Sequence, residues 1–134
     1  MAGNPAHADA HNNLGFLLSQ RDRGREAEEH FRAALASSPA HRDAHFNLAR
    51  LLMSRGNGDE AVAHFTSAST IEDEKTALYL YYLADAHARL GRAADAERIA
   101  VRARDRARSQ GQSSLAQRIE EDLQRLRERM KATR

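Results

Sequence analysis

Seven histidines are the residues of this 134-residue chain best suited to metal chemistry. His7 and His11 stand four residues apart, as do His41 and His45, so each pair would lie one turn apart on a helix. A zinc site needs at least a third protein ligand, and neither that ligand nor an H-E-x-x-H motif accompanies the pairs. We therefore predict no metal site.

Catalytic chemistry has little support in the sequence. There are no cysteines, which excludes disulfides, thiolate metal sites and a cysteine nucleophile. No glycine-rich phosphate loop, nucleophile elbow or recognisable pair of catalytic carboxylates is present. We predict that the chain is not an enzyme and that it uses no cofactor.

A row of arginines offers a third kind of chemistry, which is contact with phosphates. Arg98, Arg102 and Arg106 recur every four residues, with Arg104 and Arg108 nearby. Acidic residues close to the row could neutralise it, and the net charge of the chain is only +2. Nucleic-acid binding is therefore an alternative with weak support.

Large apolar side chains crowd the stretch TALYLYYLA, residues 76–84. A helix cannot hide all of them on one stripe, so we expect some to face a partner. Tyr81 and Tyr82, together with Phe46, are predicted to be apolar anchors because aromatic residues dominate binding hot spots. The alternative is that the tyrosines are partly buried and extend their hydroxyls to water.

A repeated phrase indicates the elements that hold these residues. Residues 5–14 read PAHADAHNNL and residues 39–48 read PAHRDAHFNL, which agree at eight of ten positions. An offset of 34 residues is typical of helical repeats, which stack because one copy cannot bury its apolar face alone. With only two prolines and seven glycines, the composition also favours an all-α fold.

Three copies of one longer pattern follow from this register. They are His11-x2-Leu14-Gly15-x2-Leu18 with Ala27-x3-Phe31 and Pro39, then His45-x2-Leu48-Ala49-x2-Leu52 with Ala61-x3-Phe65, then Leu80-x2-Leu83-Ala84-x2-His87 with Ala96-x3-Ala100. Asp73 replaces the second closing proline, and one extra residue near Thr76 shifts the third copy. Over residues 4 to about 110 the chain resembles the tetratricopeptide repeat family, a 34-residue helix–turn–helix repeat.

The resemblance implies a right-handed α-solenoid of three helical hairpins in a single domain, residues 1–134. The repeats would span about 8–41, 42–75 and 77–110. Small residues such as Gly15 would let the two helices of a hairpin approach closely, while Phe31 fills the space between them. The hairpin turns are predicted at 22–24, 56–58 and 90–91, where each helix ends on glycine.

Residues 113–131 follow a different pattern. Ser114 and Gln117 have the spacing of a capping box. Apolar residues then recur every three or four positions, at Leu115, Ile119, Leu123, Leu126 and Met130. This single stripe predicts a helix that covers the last repeat as a terminal cap, and a short coiled-coil segment is the alternative.

The first repeat has no counterpart cap in the sequence. We therefore expect Ala10, Leu14 and Leu17 to be covered on one side only. Exposed apolar surface of this kind favours association, so we predict weak self-association through the N-terminal repeat.

In the tetratricopeptide repeat family, the first helices of successive repeats line a concave groove that binds extended peptides. By register, the resemblance places seven candidate binding residues in this groove: Asn13, Phe16, Phe46, Asn47, Arg50, Tyr81 and Tyr82. Asn13 and Asn47 are equivalent, and an amide side chain can both donate to and accept from a peptide main chain. The phrase is similar to the repeats of O-linked N-acetylglucosamine transferases, where such asparagines form a ladder, although Tyr82 interrupts it here. Alternatively, both asparagines are solvated or stabilise repeat packing.

The sequence thus predicts a non-catalytic protein–protein interaction module that binds a peptide segment or partner helix of unknown identity. One alternative is a structural or self-association segment of a larger repeat protein. The family's carboxylate clamp for chaperone tails is not expected, because only Asn47 matches its five positions. No signal sequence or membrane-spanning stretch occurs, which favours a cytoplasmic location away from membranes.

Overall fold

The computed structural model describes residues 4–133, apart from the side chain of Pro5. Within these residues the chain forms α-helices and no strand. The helices are α1 Pro5–Ser19, α2 Gly24–Ser37, α3 Arg42–Ser54, α4 Gly58–Ala68, α5 Thr76–Arg89, α6 Ala93–Ser109 and α7 Ser113–Ala132. The predicted all-α fold of repeated helical hairpins is confirmed.

The helices group into two compact units, Met1–Ala68 and Ser69–Arg134. In the first unit, α1 packs on α2 and α3 on α4, while α2 and α1 both contact α3. In the second unit, α6 packs between α5 and α7. That the repeats form one domain stays a prediction.

Small and large residues alternate in the core of the first unit. Phe31 and Phe65 are each only 1% exposed. Gly15 makes room for the first ring, because a β-carbon at this position would lie 2.7 Å from Cε1 of Phe31. Ala8, Ala34 and Ala44 form a second, fully buried cluster where the two hairpins meet. Close helix contacts therefore depend on residues with little or no side chain.

The same turn joins the helices of each hairpin and also joins α6 to α7. In each case a backbone N–H donates to the carbonyl five residues earlier, for example from Asn57 to Leu52 at 2.9 Å. The preceding residue has a positive φ, and it is glycine in three turns, at Gly56, Gly91 and Gly111. In the first turn this residue is Asp22, with φ 60°, and not the expected glycine. Aspartate tolerates this conformation, so Gly24 instead begins α2.

The segment before α5 contains the extra residue of the third repeat. Thr76 is fully buried, and its hydroxyl donates to the Ile71 carbonyl at 2.7 Å and accepts from the Asp73 amide at 2.8 Å. The Gln110 and Gln112 side chains donate to the carbonyls of Asp73 and Glu74, both at 2.8 Å. Side chains thus satisfy the backbone of an irregular segment.

Helix α7 begins differently from its prediction. Gln112 and not Ser114 is the N-cap residue, and its side chain bonds the Glu74 carbonyl instead of capping the helix. The capping-box prediction is therefore wrong. The apolar stripe does pack inwards, since Ile119 is fully buried and Leu123 is 1% exposed.

Candidate functional site

The first candidate surface is the side of the first unit on which α1 and α3 lie next to each other. The Asn47 side chain donates from Nδ2 to Oδ1 of Asn12 at 3.0 Å, and Asn12 is 7% exposed. Asn13, the equivalent of Asn47, is exposed and has no side-chain hydrogen bond within residues 4–133. The two predicted asparagines therefore differ, because Asn47 helps to join the repeats while Asn13 faces solvent.

Aromatic residues lie on the same two helices. Phe46 is 8% exposed and its ring meets that of Phe65 edge-on, with centroids 5.8 Å apart. The Arg50 guanidinium lies 5.8 Å from the centroid of the Phe46 ring, within cation–π range. Phe16 on α1 is 39% exposed. Of the two predicted phenylalanines, Phe16 is thus the accessible one, whereas Phe46 is buried.

Two histidine pairs repeat within this unit. Nδ1 of His11 lies 3.0 Å from Nδ1 of His30, and Nδ1 of His45 lies 2.9 Å from Nδ1 of His64. The sequence analysis missed both pairs, although His30 and His64 also stand 34 residues apart. No group of three or more potential metal ligands occurs among the residues that the structure describes.

A fifth histidine, His41, joins α1 to the start of α3. His41 is the N-cap residue of α3, and its Nδ1 accepts from the Ala44 amide at 3.1 Å. Its Nε2 lies 2.7 Å from Oδ1 of Asp9 and therefore donates to it, since Nδ1 is the acceptor. His41 therefore caps α3. Its repeat equivalent His7 lies within α1, whose N-cap residue is Asn4.

In the second unit, Tyr81 connects α5 to α7. Its hydroxyl donates to the Asp122 carboxylate and accepts from Nε of Arg118 at 3.2 Å. Burial, and then the bond to Asp122, raise the pKa of Tyr81 above its ordinary value. Burial alone would raise the pKa of Asp122, but hydrogen bonds from Tyr81 and Arg125 outweigh it and lower this pKa. The Tyr82 ring packs edge-on against Tyr81, with centroids 6.1 Å apart.

The helices of the second unit leave a cleft of about 560 Å³, and Tyr81 is one of the residues that line it. Small apolar residues of α5 and α6 form one side of it: Ala84, Ala88, Ala96 and Ala100. Apolar residues of α7 form the other side: Ile119, Leu123, Leu126 and Ala132. Charged residues line it as well: Asp85, Asp122, Arg125, Glu128 and Arg129. An apolar floor with a few polar groups around it is the usual form of a binding site.

The arginine row on α6 is largely neutralised. Four of its five members have carboxylate partners within the described part of the chain. These pairs are Arg98–Asp95 at 2.9 Å, Arg104–Glu120 at 2.9 Å, Arg106–Glu72 at 3.1 Å and Arg108–Glu120 at 3.6 Å. This geometry gives no support to a phosphate-binding row.

Two sequence models, both of the tetratricopeptide repeat, match the chain over residues 17–73 and 77–102. The chain belongs to the tetratricopeptide repeat family. No curated protein sequence matches it significantly.

Solved structures with the same fold include the type III secretion translocator chaperone SycD of Yersinia enterocolitica. It is 17% identical, with a TM-score of 0.81 over 92% of this chain and 85% of SycD. PcrH, solved with the chaperone-binding region of PopD, is 22% identical, with a TM-score of 0.81 over 91% of this chain and 92% of PcrH. The Sgt2 repeat domain of Aspergillus fumigatus is 18% identical, with a TM-score of 0.79 over 98% of this chain and 83% of that domain.

The third tetratricopeptide repeat departs from the other two inside its hairpin. Ala100 stands where they have Phe31 and Phe65, and His87 stands where they have Leu18 and Leu52. Nδ1 of His87 is buried and has no hydrogen-bond partner among residues 4–133. Burial, opposed by the nearby Asp95 charge, lowers the pKa of His87. Of these two departures, Ala100 lines the cleft and His87 does not.

Helix α1 of the first repeat carries an apolar stripe that the described chain leaves uncovered. Leu14 is 43% and Leu17 is 51% exposed, and Ala10 is also exposed. None of the helices in the described part of the chain is long and apolar enough to span a membrane.

Proposed function

We propose that this tetratricopeptide repeat chain is a non-catalytic interaction module that binds a peptide segment of another protein. The observation that carries the proposal is the cleft of about 560 Å³, with its alanine floor and charged rim. Its walls belong to helices that pack against each other, so the site exists before the ligand arrives.

Two structural neighbours support a peptide as the ligand. SycD has been solved with a peptide of the translocator YopD, and PcrH with the chaperone-binding region of PopD. Candidate peptide contacts on the first unit remain Asn13, Phe16, Phe46, Asn47 and Arg50, and those on the second unit remain Tyr81 and Tyr82. We propose that the exposed amide of Asn13 bonds a peptide main chain on the first unit. On the second unit, we propose that the cleft takes a peptide side chain.

The test is a selection of random dodecapeptides on the full chain, followed by calorimetric titration of the enriched peptides. Ala88→Trp should weaken binding at least tenfold, because the indole would occupy the cleft. Ala94→Trp is the matched control, since Ala94 is exposed on α6 and does not line the cleft. If no peptide is enriched, or if both variants bind as the wild type does, the proposal fails.

Self-association is a second candidate function, favoured by the exposed Leu14 and Leu17. These residues and Ala10 lie at positions i, i+4 and i+7 of α1, so they form a single stripe. We propose that this stripe contacts a second molecule weakly. The cytoplasmic location expected from the sequence stays a prediction.

A further inference from the structure

The first two repeats each fill the inside of their hairpin with a phenylalanine. Phe31 and Phe65 occupy the same repeat position and are almost fully buried. In the first repeat the ring lies against Gly15, in space that a β-carbon would take. In these two repeats, an aromatic ring therefore fills the space between the helices of the hairpin.

The third repeat has no such ring. Its residues at the two equivalent positions are Ala84 and Ala100, which are 5% and 7% exposed. Ile119 and Leu123 of α7 fill the deepest part, since they are almost fully buried. A cleft of about 560 Å³ remains, lined by both alanines. An apolar cavity of about 150 Å³ is already large enough to bind benzene.

The edge of the cleft suits a side chain that enters from a peptide. Asp85 and Arg129 lie at the rim, and Asp85 is paired with Arg89 at 2.9 Å. The alanine methyl groups offer no hydrogen bond, so an apolar group gains most from contact with this part of the lining. A large ring that is rigid loses little conformational entropy there, as is usual for anchor residues.

We propose that the third repeat binds a phenylalanine side chain of its partner, which takes the place that Phe31 and Phe65 occupy in the other two repeats. This inference rests on the proposed function and specifies the ligand of the same site. The missing ring is then supplied by the partner, and the sequence of the third repeat explains why the site is there.

The experiment uses two small probes and NMR titration of the full chain. N-acetyl-L-phenylalaninamide should shift the amide resonances of Ala84, Ala88 and Leu126, whereas N-acetyl-L-alaninamide should not. Ala100→Phe fills the cleft with a ring of the chain itself and should weaken binding of the phenylalanine probe at least tenfold. Ala94→Phe, on the exposed face of α6, should leave its binding unchanged.

Ala88→Leu narrows the mouth of the cleft and serves as a second variant if Ala100→Phe does not fold. Equal shifts from both probes, or undiminished phenyl binding by the filled variants, would overturn the inference. So would a dimer that is lost both on Phe16→Ala and on Ala100→Phe, because a second copy would then be the occupant of the cleft. Peptides that bind without an aromatic residue would contradict the inference but would agree with the proposed function. A failed peptide selection would contradict the proposed function, whereas the two probes test separately whether the cleft prefers a phenyl ring.

Discussion

Nδ1 of His45 on α3 faces Nδ1 of His64 on α4 at a distance of 2.9 Å. The other ring nitrogen of His45, Nε2, donates to the Pro39 carbonyl at 2.8 Å. A neutral His45 therefore accepts at Nδ1, and His64 is the donor. The pair joins the two helices of the second hairpin, as His11 and His30 join those of the first.

The pair should contribute a measurable coupling energy to folding. In a double-mutant cycle of His45→Ala and His64→Ala, we expect about 1 kcal/mol of interaction free energy, the usual net value of one hydrogen bond. Urea denaturation of the four proteins measures it. A control cycle that pairs His64→Ala with His7→Ala, on a different hairpin, should be additive. Additivity in both cycles would show that the His45–His64 contact has no energetic weight.

His87→Leu should stabilise the protein at pH 7.5 by about 1 kcal/mol. The change removes a buried nitrogen that has no partner within the described residues, and it restores the leucine found at positions 18 and 52. Urea denaturation gives the free energy of unfolding. A variant that is no more stable than the wild type would indicate that Nδ1 of His87 is satisfied in solution.

The same residue should contribute to acid sensitivity. Because burial lowers the pKa of His87 below its ordinary 6.5, the unfolded chain binds the proton more readily. The contribution of neutral His87 to the free energy of unfolding is present above about pH 6.5. It is lost as the pH falls through the folded-state pKa of this histidine. His87→Gln keeps a polar group but cannot titrate, so its stability should fall less between pH 7.5 and pH 5. Parallel pH profiles for variant and wild type would contradict this. Burial also lowers the pKa of His64. This histidine is present in both proteins, so its effect on the pH dependence of stability is common to the two profiles.

Gly15→Ala should destabilise the first repeat by about 1–3 kcal/mol. Its new methyl group would lie 2.7 Å from Cε1 and 2.8 Å from Cδ1 of Phe31, so the ring would have to move. Gly24→Ala is the matched control, because its methyl group meets only Leu51 at 3.5 Å, an ordinary contact. Thermal melting of the two variants decides the matter. Equal melting temperatures would show that the helices do not approach this closely.

Replacing both Leu14 and Leu17 by glutamine should abolish concentration-dependent association. The two leucines are the large apolar residues of α1 with the highest exposed fractions, and glutamine keeps the helix while it removes the apolar contact. Sedimentation from low to high micromolar concentration measures the change. Leu90→Gln, at a leucine that is 36% exposed after α5, is the control. A wild type that stays monomeric throughout would rule out the self-association candidate.

The hairpins could be predicted because small and large residues recur at a fixed offset, and such a pattern is local in sequence. The Asn12–Asn47 bond and the histidine pairs could not, because they join helices whose relative rotation decides which side chains meet. The sequence did carry a signal for the pairs, since both members of each recur 34 residues apart. The cleft is formed by three helices together, so it could not be predicted from any one of them. Its only signal in the sequence is Ala100, which stands where the other repeats have phenylalanine.

Gly15 and Phe31 share one volume, which neither residue can leave without affecting the other. In evolution the two positions should therefore change together, with a β-carbon accepted at 15 only where the side chain at 31 has shrunk or its ring has shifted, since the second repeat combines Ala49 with a buried Phe65. The first repeat combines a glycine with a phenylalanine at these positions, whereas the third repeat combines two alanines, Ala84 and Ala100. Among related sequences, coevolution should thus be strong between positions 15 and 31. It should be weak between 84 and 100, where selection would act on the space between the residues instead of on their contact.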